Sequence, residues 1–539
     1  MTRAFPPVTA WARRAYGDSG LWDGRLLDGY LEEAAAANPG GLAVVDAATR
    51  LTYAELLERV GTIAGGLYEL GVRRGDVVAM QLPNWWEALA VHFAILRLGA
   101  VSNPVMPILR ERDMSYVLEQ GGARVLVSAA DYRGFDHGAL ALHLAEQLPA
   151  LEHVVTVRGR RSGALDLADL WAGASAVPAD SGRSADDPVV LLYTSGTEAK
   201  PKGAVHSHNT LGYENRTMIE LYRLSTDDVV WAPSPIAHIT GVLFAFHLPV
   251  MLRAPVVLQD VWDAERALAL IEAERCSFVV AATPFLHGIT YSPEQPRSDT
   301  SSLRTFVCGG ADVPPALIRD AGEALGVRAV RLYGSTEIPT LTGSSAEASL
   351  EQRATTDGRP IADAGVRIVD DEGQDAAVGE PGLILARGAE AMLGYLGADV
   401  QPFDAEGWLD TGDLGYLDAE GYVTIVGRRK DIILRGGENI SAKEVEDLLY
   451  AHPGIAEVAV VAVPDPRLTE RACAVVVPRP GAVVDLASIV AFLEVQSIAR
   501  QKFPERLEIV NELPKTPTGK IQKFRLRQLV ADRTADQMP

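Results

Sequence analysis

Apolar positions in residues 42–105 repeat at helical spacing and alternate with short, continuous apolar runs. Thr52 and Glu55 form a T-x-x-E capping box, which is typical of a helix N-terminus. The apolar positions that follow keep a helical period until Gly71, a residue type that favours helix C-termini. Residues 77–80 then predict a buried strand, so the segment predicts strands and helices in alternation.

The same alternation returns further along the chain. Residues 84–98 have the pattern of an amphipathic helix. The later predicted elements, in the order strand, helix, strand, helix and strand, are 189–193, 209–221, 278–282, 314–325 and 330–332. Such alternation is typical of α/β layers built on mostly parallel sheets.

The pattern changes at Val366, where short strands and turns predict a small β-rich subdomain. After Gly427 a compact α+β pattern begins, and Ser441 and Glu444 form a second capping box. The strands and the helix predicted after this box are 458–463, 472–477 and 486–500.

These changes predict a domain boundary near Lys430. The predicted fold class is α/β, with a large N-terminal domain, 1–429, made of layered α/β subdomains and a β-rich subdomain. A small α+β C-terminal domain would occupy 430–539.

Composition restricts the class of partner. The chain has 539 residues and a formal net charge of −21, and this acidic balance repels phosphate backbones, so nucleic acid is not expected as a partner. Cys276, Cys308 and Cys473 lie far apart without CxxC spacing. The chain therefore predicts neither a disulfide framework nor a zinc site.

The sequence also bears on location. Its N-terminus lacks the apolar segment of a secretory signal. The most apolar stretch, 236–250, contains His238 and His247 and is too short to cross a membrane. We therefore expect a cytoplasmic protein without a membrane span.

A loop rich in small and hydroxyl residues follows the predicted strand 189–193, in the sequence YTSGTEAKPKG. Small residues let the backbone approach an anion, the hydroxyls of Thr194, Ser195 and Thr197 can donate to phosphate oxygens, and Lys202 adds positive charge. The spacing is not that of a Walker A loop. Taken alone, the run also fits a flexible surface turn.

A second motif, YGSTE, follows the predicted strand 330–332. Open α/β sheets bind ligands at the carboxyl ends of their parallel strands. Glu337 could hold Mg²⁺, which usually takes one or two carboxylates and phosphate oxygens, and Tyr333 could stack on a base. An ordinary turn is equally compatible with this motif alone.

Two further motifs lie near the predicted boundary and the C-terminus. Asp413, in WLDTGDLG, is suited to binding the two hydroxyls of a ribose, and Arg428 could reinforce that contact. Lys520, in PKTPTGKIQK, follows a glycine in a turn, from which a small domain could deliver it into a distant site. An Asp–Gly turn, a solvated basic run and a solubilising lysine are the alternatives.

Together, in this order and spacing, the motifs resemble the adenylate-forming superfamily, which includes acyl- and aryl-CoA synthetases, peptide-synthetase adenylation domains and beetle luciferases. The resemblance extends over roughly Leu27 to Leu529. The matching segments are YTSGTEAKPKGAVHSH, PIAHITG, YGSTE, EGWLDTGDLG, GRRKDIILRGGENI and LPKTPTGKIQK. It implies a mobile C-terminal domain, an active site between the two domains, and the use of ATP, Mg²⁺ and coenzyme A.

The resemblance also implies roles for the residues that match family motifs. The implied ATP-binding residues are Thr194, Ser195, Gly196, Thr197, Lys202, Gly310, Ala311, Tyr333, Gly334, Asp413 and Arg428. The implied catalytic residues are Lys520, Thr336 and Glu337, with Glu337 also the metal ligand. The implied acid-binding residues are His238, Ile239, Val242, Gly309 and Ile338. The implied CoA-binding residues are Gly436, Gly437 and Glu438, and the implied hinge is Lys430.

One position departs from the family pattern. Relatives usually carry Thr or Ser and then Gly where this chain has Glu198 and Ala199. Glu198 adds negative charge beside the triphosphate, and Ala199 stiffens the loop. Thr197 and Lys202 are retained, so we expect an altered phosphate contact in an active enzyme.

The predicted activity is that of an ATP-dependent acid–CoA ligase. The segments that border the acid in relatives, 238–242, 308–310 and 333–341, are mostly apolar or small and contain no Lys or Arg. They favour a medium-length aliphatic or alicyclic acid, with an aryl acid as the alternative.

Other classes stay open to different degrees. A stand-alone adenylation enzyme that loads a carrier-protein thiol is an alternative. An amino-acid adenylation domain is disfavoured, because such domains usually carry an Asp in the PIAHITG segment to pair with the substrate amine, and this chain has His238 and no acidic residue there. A luciferase would share every motif, and a non-catalytic nucleotide-binding module would not need Lys520 and Glu337. A homodimer is compatible with the sequence.

Overall fold

The computed structural model describes most of the chain. The described ranges are 4–47, 49–171, 182–194, 201–345, 347–397, 401–435, 438–465, 467–496, 498–516 and 520–535. Helices and strands alternate through the first two thirds of these ranges, as the sequence predicts. No helix within them is both long and apolar enough to cross a membrane.

Eight strands of the described ranges form one large sheet. In spatial order they are Gly394–Tyr395, Lys202–Ser207, Pro188–Thr194, Val101–Pro104, Val77–Gln81, Ala123–Ala129, His153–Val157 and Leu165–Asp166. The strands from Pro188–Thr194 to Leu165–Asp166 pair in parallel, and Lys202–Ser207 and Gly394–Tyr395 add antiparallel at one edge. The loop that follows Thr194 thus starts at the carboxyl end of a parallel strand.

A second large sheet contains nine of the described strands. In spatial order they are Arg359–Pro360, Thr342–Gly343, Arg328–Tyr333, Thr305–Gly309, Phe278–Ala281, Val230–Ala232, Val256–Leu258, Leu42–Asp46 and Thr49–Thr52. Its interior strands are parallel and its edge strands are antiparallel. Because Thr305–Gly309 and Arg328–Tyr333 are parallel neighbours, the loops after them leave the same edge of the sheet.

Helices cover and separate the two sheets. The described α-helices of this part with at least eight residues are Leu27–Ala37, Tyr53–Glu69, Trp86–Arg97, Glu111–Gly121, His137–Gln147, His208–Tyr222, Ala264–Glu274, Thr283–Thr290 and Pro315–Leu325. The shorter ones are Ala10–Ala12, Leu167–Trp171, Ile239–Gly241, Leu248–Leu252 and Leu350–Thr355. The predicted capping box is confirmed, because Thr52 and Glu55 exchange both bonds.

The amphipathic helix predicted over 84–98 is wrong in one respect. The helix extends over Trp86–Arg97, and its residues from 86 to 96 are all buried. It contacts the strand Leu42–Asp46 of one sheet and the strand Val101–Pro104 of the other, together with the helix Tyr53–Glu69. Since it lies between layers, no side of it faces solvent.

The β-rich part predicted after Val366 is a four-stranded antiparallel sheet. Its strands are Gly365–Val369, Gly382–Arg387, Leu409–Leu417 and Val423–Arg428. The last two are paired so that Asp413 lies opposite Arg428. Two residues from different motifs, 15 positions apart in sequence, are therefore cross-strand neighbours.

The C-terminal part is α+β, as predicted. Its described strands are Ile432–Arg435, Glu438–Ser441, Ile455–Asp465, Thr469–Pro478 and Arg506–Ile509, and its α-helices are Ala442–Leu449, Leu486–Val495 and Lys523–Ala535. These observations confirm the predicted fold class. The boundary near Lys430 stays a prediction.

Two details of this part differ from the prediction. The helix predicted to reach residue 500 ends at Val495, because the chain turns back to bury Phe503 in the same apolar cluster. The second capping box is half formed. Ser441 Oγ accepts from the Glu444 N–H at 3.1 Å, but the Glu444 carboxylate accepts from Lys502 Nζ at 2.7 Å.

Candidate active site

A cavity of about 860 Å³ lies between the carboxyl edge of the nine-stranded sheet and the C-terminal part. Gly310, Ala311, Tyr333 and Gly334 line it, because the strands before them are parallel neighbours. Lys520 lines it from the opposite side. The structure thus brings Lys520 together with residues that lie 186 to 210 positions before it in the sequence.

The Asp413 carboxylate is held from two sides at the cavity wall. Tyr333 Oη donates to Asp413 Oδ2 at 2.7 Å, and Arg428 Nε lies 3.1 Å from Asp413 Oδ1. The Asp413 side chain is buried, whereas that of Arg428 is about a third exposed. Burial and then the Asp413 charge raise the pKa of Tyr333 well above its ordinary value, so its phenol stays neutral and remains a donor.

Lys520 is a half-buried cation in this cavity. Burial and the Arg428 guanidinium lower the pKa of Lys520 to about 8, while Asp413 and Asp312 act in the opposite direction. The turn that carries it is closed by Thr516, whose N–H donates to the Lys520 carbonyl at 2.7 Å and whose Oγ1 accepts from the Lys520 N–H at 3.0 Å. A charged lysine is therefore available at the cavity near neutral pH.

His238 lies within electrostatic reach of Lys520. Burial, and then the Lys520 charge, lower the pKa of His238 to about 4. Its Nδ1 lies 3.1 Å from Thr240 Oγ1 and 3.3 Å from the Thr240 nitrogen, which places the imidazole at the start of the helix Ile239–Gly241. The His238 ring is thus neutral and fixed in orientation.

Glu337 is linked to the strand that follows the hydroxyl-rich loop. Tyr395 Oη donates to Glu337 Oε1 at 2.7 Å. Lys202 Nζ lies 5.1 Å from the centre of the Tyr395 ring, and Tyr395 pairs with Ala204 of the strand Lys202–Ser207. Mg²⁺ usually takes one or two carboxylates together with phosphate oxygens, so Glu337, a partly exposed carboxylate, fits such an ion.

Sequence reasoning did not find Tyr395 or His206. His206 Nε2 lies 2.7 Å from the carbonyl oxygen of Thr336, which fixes the backbone of the YGSTE loop. Burial lowers the pKa of His206 to about 4, so it donates as a neutral ring. The runs HSH and GYL were the available signals, but neither indicates a partner 58 or 130 positions away.

Two glycines of the site require the absence of a side chain. A Cβ on Gly309 would lie 2.6 Å from the Leu332 carbonyl oxygen, and one on Gly334 would lie 1.9 Å from that of Pro339. Close backbone approach therefore shapes both loops at the cavity edge.

The apolar side chains among the predicted acid-binding residues are buried and do not line the cavity described above. Ile239, Val242 and Ile338 are all buried, with 4%, 0% and 1% of their surface exposed. Val242 begins a π-helical segment, Val242–His247, a local geometry often found at functional sites.

Several predicted positions fall outside the described residues. Ser195, Gly196 and Thr197 of the loop do, as do Glu198 and Ala199. Thr194 is described, and its Oγ1 donates to the Lys202 carbonyl at 3.4 Å, closing the base of the loop.

The predicted CoA-binding segment is described only in part. Gly436 and Gly437 lie outside the described residues, and for Glu438 only the backbone, in the strand Glu438–Ser441, is described. Lys430 lies in a 3₁₀ turn, and its carbonyl accepts from Arg527 Nη2 at 3.2 Å.

Two family models match the chain. That of the AMP-binding enzymes covers residues 31–396, and that of the C-terminal domain of AMP-binding enzymes covers residues 444–520. The chain belongs to the AMP-binding enzyme family. The predicted adenylate-forming superfamily is thereby confirmed, and this AMP-binding enzyme is an acid–thiol ligase.

Curated relatives match this AMP-binding enzyme over nearly its full length. The medium-chain fatty-acid–CoA ligase of Escherichia coli is 35% identical over 523 residues, which cover 96% of this chain and 92% of the relative. The 2-hydroxy-7-methoxy-5-methyl-1-naphthoate–CoA ligase of Streptomyces carzinostaticus is 35% identical over 534 residues, which cover 95% and 94%. The relatives thus include enzymes for aliphatic and for aromatic acids.

Solved structures share the fold. ATP-bound MatB from Rhodopseudomonas palustris has a TM-score of 0.86 and 29% identity, covering 94% of this chain and 99% of its own. The anthranilate CoA ligase AuaEII in complex with anthranoyl-AMP has a TM-score of 0.88 and 27% identity, covering 95% and 98%.

Proposed function

We propose that this AMP-binding enzyme is an ATP-dependent acid–CoA ligase that forms an acyl-adenylate and then an acyl-CoA thioester. The observation that carries the proposal is the position of Lys520. A lysine of the C-terminal part lies in the cavity whose opposite wall holds Tyr333, Asp413 and Arg428. We propose 1–429 and 430–539 as the two domains that form this site.

The first half-reaction needs a cation between two anions. The substrate carboxylate attacks the α-phosphorus of ATP, an anhydride forms, and pyrophosphate leaves. The Lys520 ammonium is suited to stabilise the negative charge shared by the carboxylate and the phosphate oxygens in the transition state. Asp413 and Arg428 would bind the ribose, and the Thr336 side chain would contact the α-phosphate.

The phosphates need further positive charge. Lys202 and the loop from Thr194 to Thr197 would bind them, and Glu337 would hold Mg²⁺, which neutralises phosphate charge when bound. Gly310, Ala311, Tyr333 and Gly334 would form the adenine side of the cavity. Tyr395 and His206 hold Glu337 and Thr336 in place from outside the cavity.

The second half-reaction needs Lys520 to leave. The thiol sulfur attacks the acyl carbon, AMP departs, and a lysine between the two groups would obstruct the thiol. Rotation about Lys430 would withdraw Lys520 and present Gly436, Gly437 and Glu438 to coenzyme A. Hinge movements of this kind are a common way of switching between catalytic states.

Lys520→Ala tests this assignment. Adenylation, measured as pyrophosphate release from ATP and acid without thiol, should fall by about 10² to 10³, the usual cost of a lost transition-state contact. Thioester formation from supplied acyl-adenylate should be retained. Arg525→Ala, which removes a nearby cation of the final helix, is the control and should leave both steps intact. Equal loss of both steps in Lys520→Ala would contradict the role of Lys520.

For the acid, we propose a medium-length aliphatic or alicyclic monocarboxylate. Ile239, Val242 and Ile338 are apolar and buried, so a second charge on the acid would lie unpaired beside them at high cost. An aryl acid is the second candidate, because relatives of similar identity act on aromatic acids.

An acid series separates the two candidates. Each methylene that enters the site should contribute about 0.8 kcal/mol, so kcat/KM should rise from acetate to hexanoate until the site is full. Higher kcat/KM for a benzoate than for every aliphatic acid would favour the aryl candidate. Comparing free coenzyme A with a carrier-protein thiol as acceptor would test the proposed thiol.

A further inference from the structure

We propose that Asp312 and Lys443 form an interdomain ion pair that holds the C-terminal domain in the orientation in which Lys520 faces the cavity. The inference rests on the proposed function, because it assigns the pair to the adenylation half-reaction. Asp312 and Lys443 would be positioning residues that act through Lys520, without contact to the reacting atoms.

The two residues come from opposite sides of the cavity. Asp312 lies in the loop between the strand Thr305–Gly309 and the helix Pro315–Leu325, and Lys443 lies in the first turn of the helix Ala442–Leu449. Lys443 Nζ is 3.4 Å from Asp312 Oδ1. The contact therefore joins the adenine-side loop to the part of the chain that carries Lys520.

Lys443 is a buried cation that binds one carboxylate from each side. Its side chain is only 7% exposed, and its Nζ also lies 2.9 Å from both oxygens of Asp447, one helical turn away. Burial opposes its charge, but Asp312 and then Asp447 outweigh burial and raise the pKa of Lys443 above its ordinary value. The ammonium is thus kept charged at the point where the two sides meet.

Asp312 is the common target of three lysines from the C-terminal side. Partial desolvation by the surrounding groups works to raise its pKa, but Lys443, Lys523 and Lys520 together hold the pKa of Asp312 below its ordinary value. Lys523 has its own partner, with Nζ 2.8 Å from Glu446 Oε1, and Lys443 makes the direct contact with Asp312. Rotation of the domain would separate these charges, so their attraction favours the present orientation.

The Asp312 carboxylate is separable from the fold of its own loop. Its side chain is 51% exposed, and the loop is held by the backbone, since Thr283 Oγ1 donates to the Asp312 carbonyl at 2.8 Å. Asp312→Asn therefore removes the charge with little change in volume and should fold. The effect of the variant can then be read as a change in domain orientation.

The first test compares the two half-reactions in Asp312→Asn, Lys443→Met and the double variant. We expect each single variant to lose about tenfold in adenylation and little in thioester formation from supplied acyl-adenylate, and the double variant to lose no more than one single variant. Asp320→Asn is the matched control, because Asp320 accepts from Tyr291 Oη at 2.5 Å within the same side. Additive losses, or equal losses in both half-reactions, would overturn the pairing.

The second test does not depend on activity. Spin labels on cysteines introduced at Glu372 and Val483, two exposed positions on opposite sides of the proposed boundary, would report the interdomain distance in solution. The three native cysteines are buried, so the labels should react at the introduced positions. Asp312→Asn and added salt should both broaden the distance distribution, whereas Asp320→Asn should match the parent protein. A distribution that neither Asp312→Asn nor salt alters would refute the ion pair even where the enzyme is active.

The two tests also separate this inference from the proposed function. If the parent protein released no pyrophosphate with any acid of the series, the proposed function would fail, and the distance measurement would still decide whether Asp312 and Lys443 orient the domain. If the parent protein is active and the distances do not change, only the ion pair fails.

Discussion

At the scale of single residues, Lys520 combines two opposed requirements. It must be charged to stabilise the adenylation transition state, but burial and the neighbouring Arg428 disfavour its charge and lower its pKa to about 8. Loss of the proton from Lys520 should therefore limit the rate of adenylation at high pH.

A pH dependence of adenylation follows. Since the pKa of Lys520 is lowered, its charged form is present below about pH 8 and is lost as the pH rises through that value. The kcat/KM for ATP, which reports groups of the free enzyme, should fall above pH 8. The corresponding fall in kcat should occur at a higher pH, because bound phosphates stabilise the charged ammonium.

Lys520→Arg provides the comparison. A guanidinium keeps its charge far above pH 8, so the variant should be slower but should lack this alkaline limb. An identical alkaline limb in the variant and the parent protein would assign the titration to another group.

At the scale of elements, the chain segment around Lys430 that connects the β-rich part to the C-terminal part is short. The strand Val423–Arg428 leads into the 3₁₀ turn Arg429–Asp431, and the strand Ile432–Arg435 begins at once. Any rotation between the two parts must therefore be absorbed by the dihedral angles of a few residues. Arg527 contacts this turn through the Lys430 carbonyl and the Asp431 carboxylate.

Lys430→Pro tests the turn as the hinge. Proline fixes φ near −65° and removes one backbone donor, so rotation at this residue is restricted. Thioester formation should fall by at least about tenfold more than adenylation, because only the second half-reaction needs the rotated state. Lys430→Ala keeps backbone freedom and should stay close to the parent protein. Full retention of thioester formation in the proline variant would place the pivot elsewhere.

At the scale of the whole molecule, the buried carboxyl groups of Glu214 and Glu390 come from distant parts of the chain. Glu214 belongs to the helix His208–Tyr222 and accepts from the Thr340 hydroxyl, beyond the YGSTE loop, whereas Glu390 precedes the strand Gly394–Tyr395. Both oxygens of Glu390 are buried and, within the described residues, lack a hydrogen-bond partner. Burial raises the pKa of Glu214 to about 7, and burial and then Glu214 raise that of Glu390 to about 8.

These groups predict how stability changes with pH. A raised pKa means that the folded state binds the proton more tightly than the unfolded chain does. The stabilisation is complete below the unfolded value, near 4.5, and is lost as the pH rises to about 7 for Glu214 and about 8 for Glu390. In that window each group should lower the free energy of unfolding by about 1.4 kcal/mol per pH unit.

Glu390→Gln isolates this contribution. The melting temperature of the variant relative to the parent protein should rise between pH 5 and pH 8, because glutamine has no proton to lose. Glu372→Gln, at an exposed position, should show no such trend. The same pH trend in both variants would contradict a buried, protonated Glu390.

The sequence alone determined the α/β order of the elements, the β-rich and α+β parts, and the motif residues Tyr333, Asp413 and Lys520. These features are encoded locally, in periodicity, caps and short motifs, because neighbouring residues decide whether a helix or a strand forms. The family model then confirmed the superfamily that the motifs indicated.

Only the tertiary structure decided which distant side chains meet. Tyr395 reaches Glu337, His206 reaches the Thr336 carbonyl, and Asp312 reaches Lys443. The burial of the helix Trp86–Arg97 on all sides could likewise not be predicted from the sequence, because it depends on the two sheets that enclose the helix. Such contacts join positions 58 to 131 residues apart, and their partners are selected by packing and charge, which no local pattern records.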